Sequence, residues 1–182
     1  FMRIFEDEGT PVTDELLVNE TVPGQQREPS ITTDSTGGIV VSWSGHGSGD
    51  WNGVFARQFA PGGTPRSGEI LVNQTGKGFS HWFFPQSNPI VVADDDGGFV
   101  VGWEGIGIGD FYGIFFRHFG ADGSALIDTV QANESIRGLQ GNTSVLATSD
   151  GYVVGWDGKG IGDSNGVFFR EFGIAGNPLD RE

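Results

Sequence analysis

The chain has 182 residues, 36% of them hydrophobic, with 15 Phe and 5 Trp, which is enough to build the core of one domain. A formal charge of −14 and a pI near 4.3 exclude nucleic acid and anionic membrane surfaces as partners. No apolar run is long enough for a membrane-inserted helix, and the absence of Cys excludes disulfides, thiolate catalysis and zinc–sulfur sites. With 32 Gly and 8 Pro, the composition asks for many tight turns, and the aromatics favour pleated strands. The acidity reads as a means of solubility or as carboxylates that hold divalent cations.

In chain order, the first element is Phe1-Met2-Arg3-Ile4-Phe5, and it recurs. It returns as Phe55-Ala56-Arg57-Gln58-Phe59, Phe115-Phe116-Arg117-His118-Phe119 and Phe168-Phe169-Arg170-Glu171-Phe172. Arg3, Arg57, Arg117 and Arg170 are thus spaced by 54, 60 and 53 residues. Trp43, Trp103 and Trp156 keep the same step, as do Asp50, Asp110 and Asp163, and Asn19, Asn73 and Asn133. A self-similarity of this length is the mark of a repeat architecture. The sequence divides into a partial repeat (1–53), two repeats (54–113 and 114–166) and a partial one (167–182), together one repeat domain.

One unit shows the strands. Pro89 to Ala93 is a first strand, closed by the turn cluster Asp94-Asp95-Asp96-Gly97-Gly98. Phe99 to Trp103 is a second, with Phe99, Val101 and Trp103 on one face. Ile114 to Phe119 is a third and Thr129 to Asn133 a weaker fourth. The predicted fold is all-β: tandem four-stranded antiparallel units, β-propeller-like. Too few units are present to close a ring, so a segment of a larger protein is expected, with completion by other chains as the alternative.

The units also resemble the tandem repeats of large bacterial secreted or surface proteins of RTX and adhesin type. The matching residues are Asn88-Pro89-Ile90, Asp96 to Trp103, Gly53 to Phe59 and Gly68 to Asn73. The resemblance implies a secreted, cell-surface or periplasmic place and a scaffold, adhesive or assembly role. Its partners would be other protein chains, the rest of its own polypeptide, or glycans.

Three groups of residues carry candidate chemistry. The loops at 45–53, 105–113 and 158–166 alternate Gly and end in Asp50, Asp110 or Asp163, with Glu104 and Asp157 nearby in two copies. They read either as oxygen-rich Ca²⁺ loops or as plain turns capped by their own Asp. Trp51 and Phe111 follow those aspartates and are candidate sugar contacts, as in a lectin. Phe79, Trp82, Phe83 and Phe84 lie in an insertion without counterpart in the other units; they either plug a local core or contact another chain. The four arginines, between two Phe each, read as a ligand-binding row or as structural Arg–acid pairs, and the three Trp as structural positions of the repeat. The Gly runs lack the Lys-Ser/Thr ending of a phosphate loop. His46, His81 and His118 occupy different repeat positions without a fixed nucleophile or acid. No enzyme is therefore expected.

Overall fold

A computed structural model describes residues 1–74, 86–107 and 109–182; all its regular elements are strands. The first sheet has the order β1 (Gln26–Thr33), β2 (Ile39–Gly47), β3 (Asp50–Phe59), β4 (Ile70–Leu71). The second repeats it as β5 (Ser87–Ala93), β6 (Phe99–Gly107), β7 (Asp110–Phe119), β8 (Val130–Gln131). The third holds β9 (Gln140–Thr148), β10 (Gly151–Gly160) and β11 (Asp163–Gly173). Residues 1–18 carry the bridges Met2–Leu16 and Phe5–Pro11, and the latter matches Phe59–Pro65, Phe119–Ala125 and Phe172–Pro178 in the three sheets. They therefore occupy third- and fourth-strand positions of a further blade. All neighbouring strands are antiparallel, and β1, β5 and β9 lie side by side as the inner strands. The chain is a β-propeller segment.

Alternation along the strands explains why the blades stack. Trp103, Phe115 and Phe119 point from one face of the second blade onto Val40, Val54, Ala56 and Val72 of the first. Tyr152, Trp156 and Phe172 of the third meet Val100, Ile114, Phe116 and Ala132 of the second. Trp43, Phe55 and Phe59 of the first meet Met2 and Val18. Each seam thus sets large rings against aliphatic groups, with Phe116 adding ring contacts to Tyr152 and Phe172, and each fully buried Phe contributes about 2–3 kcal/mol. A one-residue slip of any strand would send its rings to the wrong face.

Three of the four arginines cross these seams. Arg57 donates to the carbonyls of Ser67 (3.0 Å) and Val18 (2.8 Å) and pairs with Glu20 at 2.7 Å. Arg170 repeats this with Asp180, Ala132 and Glu134. Arg117 reaches the Ile127 and Val72 carbonyls, but Gln74 stands where the other two blades offer Glu. Burial draws the Arg117 guanidinium below its ordinary value, and the Asp128 charge opposes this. Each guanidinium lies over one Phe ring of its own strand, at 5.2 to 5.5 Å from the centroid. Arg3 is exposed and donates to the Thr13 carbonyl.

Candidate functional site

The inner strands share an irregularity near their starts. The register of β1 on β2 shifts between Arg27 and Ser30, and that of β5 on β6 between Ser87 and Ile90. The β9–β10 pairing shifts where Gly155 and Asp157 face Ser144 and Gly141. At each bulge one non-glycine residue takes the left-handed conformation: Glu28 (φ 55°), Asn88 (φ 48°) and Asn142 (φ 54°). Such a residue costs about 1–2 kcal/mol, and bulges of this kind re-aim a side chain.

The re-aimed residues form a continuous polar line from blade to blade. Glu28 Oε2 accepts from the Ser44 hydroxyl (2.6 Å) and the Asn88 backbone N–H (2.9 Å). The Asn88 side-chain amide donates to Glu104 Oε2 (3.0 Å), and the Asn142 N–H donates to Glu104 Oε1 (2.7 Å). Asn142 Nδ2 then donates to Asp157 Oδ2 at 2.8 Å. Three carboxylates, Glu28, Glu104 and Asp157, are thus strung along the inner side of three blades. Glu28 and the two asparagines are exposed; Glu104 and Asp157 are half-buried. Glutamine anchors this end of each inner strand. Gln86 accepts from Trp103 Nε1 (2.8 Å) and donates to the Ile106 carbonyl, and Gln26 and Gln140 donate to the His46 and Lys159 carbonyls.

The loop aspartates do not join that line. Asp50 Oδ1 caps its own turn through the Asn52 N–H (3.1 Å), while Oδ2 accepts from buried Asn73 (2.9 Å). Asp110 does the same with the Tyr112 N–H, Asn133 and Gln131. Asp163 caps the Asn165 N–H and is exposed. The repeated asparagines complete the device, since Asn73 and Asn133 accept the Val54 and Ile114 N–H groups. The alternating glycines have a packing cause: a Cβ at Gly47 or Gly107 would strike the ring of Phe55 or Phe115. Among the described residues no three His, Cys, Asp or Glu side chains gather as metal ligands.

The other sequence candidates are spread out. Trp43, Trp103 and Trp156 are buried in the seams, each stacked on a Phe of the next strand. Trp51 and Phe111 are exposed on the loops at the end of the blades that carries the carboxylate line. Phe79, Trp82, Phe83 and Phe84 lie outside the described residues. At the opposite end, an open cleft of about 570 Å³ is lined by Asp94, His118, Asp128 and Ile174 among others. There His118 lies 2.6 Å from Asp94 and 2.6 Å from the Tyr152 hydroxyl, which also donates to the Ile174 carbonyl. Burial, with the Asp94 charge, raises Tyr152 above the ordinary phenol range. The relay crosses the seam between the second and third blades, as Gln58 crosses the preceding seam to the Ala121 carbonyl, so it fits a seam contact.

Neither a family model nor a curated protein matches the chain. Solved structures do. The Bacteroides ovatus xyloglucan PUL GH43B superposes with a TM-score of 0.51 at 15% identity, covering 87% of this chain and 29% of its own. The α-L-arabinofuranosidase from Lactobacillus brevis gives 0.50 at 10% identity, covering 97% of this chain and 62% of its own. Both are glycoside hydrolase propellers, and the likeness is one of fold. The chain is shorter than two thirds of either.

These neighbours correct the sequence reading in two respects. The RTX-type, adhesin-like resemblance gives way to glycoside hydrolase propellers. The expected non-enzymatic scaffold, with its lectin and docking-subunit alternatives, is overturned by neighbours that are enzymes. The physical reason is that the repeat signal reported packing. Arg, Trp and Asp recur because every seam and every hairpin needs them, and such recurrence does not bear on catalysis. The carboxylate line varies in identity from blade to blade and was missed as a unit, although Glu104 and Asp157 were singled out as metal ligands. A signal existed: Gln26, Gln86 and Gln140, two residues before Glu28, Asn88 and Asn142, keep the spacings 60 and 54.

Proposed function

We propose that this chain supplies three consecutive blades of a propeller that cleaves glycosidic bonds, with Glu28, Glu104 and Asp157 as its acidic groups. The observation that carries the reading is the line of three carboxylates, in which a bulge on each inner strand aims Glu28 itself or the asparagine that holds Glu104 and Asp157. Glycoside hydrolysis asks for two carboxyl groups flanking the scissile bond, one to move a proton and one to act as base, nucleophile or stabiliser of positive charge. Glu104, with both oxygens accepting N–H groups, suits the stabilising role. Glu28 is exposed to water and donor-bound through Oε2, so it suits proton exchange with a leaving group. Asp157, bound by one amide, is the partner on the third blade.

The test is hydrolysis of aryl glycosides, beginning with aryl α-L-arabinofuranosides and xylosides because of the two neighbouring enzymes. Glu28→Gln and Glu104→Gln should each lower kcat/KM by about 10²-fold or more while leaving the unfolding midpoint within about 1 kcal/mol of the parent. Hydrolysis that persists unchanged in both variants would remove the line from the chemistry.

A further inference from the structure

The residues that repeat in every blade are accounted for by packing. The exposed residue after the loop Asp does not repeat: it is Trp51 in the first blade, Phe111 in the second and Ser164 in the third. Trp51 is the best defined of them. Its indole is 63% exposed, yet it is not loose, because it stacks on the His46 imidazole at 4.3 Å between centroids with planes only 15° apart. His46 is itself backed. Its N–H donates to the Gln25 carbonyl (2.9 Å), its carbonyl accepts from Gln26 Nε2 (3.0 Å), and any Cβ at Gly24 would strike its ring. Gly24, His46 and Trp51 therefore form a layered stack with one indole face covered and the rest open to solvent.

That stack stands on the same blade and at the same end as the start of the carboxylate line. Ser44, which binds Glu28, lies two residues before His46 on β2 and pairs with Val54, three residues beyond Trp51 on β3. Three residues of strand span about 10 Å. A flat, pre-oriented aromatic face loses little freedom on binding, and its apolar surface matches the C–H face of a sugar ring. A ligand that touches both Trp51 and Glu28 must extend further than one ring.

We infer that Trp51, seated on His46, is a stacking platform for a remote ring of an oligosaccharide whose reacting end lies at the Glu28–Asp157 line. The inference rests on the glycoside-cleaving reading of that line. It names the substrate as an oligosaccharide and the rim of the first blade as its binding subsite.

Binding is measured in the Glu28→Gln background, where turnover is suppressed, by calorimetry and by tryptophan fluorescence. The probes are arabino-oligosaccharides and xyloglucan oligosaccharides. Trp51→Ala should weaken binding on the order of tenfold and abolish the sugar-induced fluorescence change, whereas Trp51→Phe should retain most of the affinity. His46→Ala should weaken binding by a smaller factor, because the platform loses its backing. Equal affinity of Trp51→Ala and its parent overturns the platform even if the aryl glycosides are hydrolysed. Failure of both oligosaccharide classes to bind overturns it too. Oligosaccharide binding lost in Trp51→Ala, alongside aryl glycosides that are never hydrolysed, keeps the platform and sinks only the catalytic assignment of the carboxylates.

Discussion

The loop aspartates show how one side chain can answer two descriptions. In sequence, an Asp at the end of a Gly-alternating loop reads equally as a hard cation ligand or as a turn cap. In the structure Asp110 accepts three hydrogen bonds: from the Tyr112 N–H, Asn133 Nδ2 and Gln131 Nε2. Asn133 is buried, so removing its acceptor leaves a donor with the weaker contacts to Ser135 (3.1 Å) and Gln140 (3.5 Å). Asp110→Ala should therefore cost about 2 kcal/mol in urea unfolding, and Asp163→Ala, with one exposed cap to lose, about 0.5–1 kcal/mol. Adding Ca²⁺ or a chelator should leave the parent's midpoint where it is. A Ca²⁺-dependent rise that disappears in Asp110→Ala would instead give the loop a metal to hold.

At the scale of the element, the strands were legible and the bulges were not. Phe99, Val101 and Trp103 alternate, so β6 could be placed from sequence. The structure extends it to Gly107, because the glycines that read as loop continue the ladder opposite Gly113 and Asp110. Conversely, the fourth strand shrinks to Val130–Gln131. The left-handed residues themselves left little mark beyond the Gln two positions earlier, since Glu28 differs from Asn88 and Asn142 and Asn is common in any turn. Backbone conformation is what makes them equivalent. This gives a direct check. Asn142→Gly keeps the N–H that binds Glu104 and relieves the positive φ, losing only the bond to Asp157. It should leave stability within about 1 kcal/mol of the parent, whereas Asn142→Ala keeps the strain, loses the bond and should cost about 1–2 kcal/mol. Equal stability of the two variants would mean that the bulge is not strained.

On the scale of the whole molecule, the question is what keeps one blade beside the next. Apolar layers and arginines act at every seam, and a third device acts at two of them. Glu69 gathers the Glu20 N–H (2.7 Å), the Thr21 N–H (2.9 Å) and the Thr21 hydroxyl (2.8 Å) of the segment entering the first blade. Glu182 gathers the Glu134 and Ser135 N–H groups at the corresponding place in the third. Burial works to raise the Glu69 carboxyl, but the donors from Thr21, Glu20 and Ser48 outweigh it and hold the group below the ordinary carboxylate range. A carboxyl depressed on folding contributes stability above its unfolded value, near pH 4, and that contribution is lost as pH falls through the lower folded value. Because the site is partly open to solvent, the contribution is about 1 kcal/mol at neutral pH. Glu69→Gln should therefore be less stable than its parent at pH 7, and the gap should close as the pH is lowered toward 3. Hydrogen exchange should locate the effect: in acid the Thr21 amide should lose protection before the Val54 amide, which is held by buried Asn73 inside the blade. A gap that stays constant from neutral pH to pH 3 would show that Glu69 joins the blades through its shape alone, with no part played by its charge.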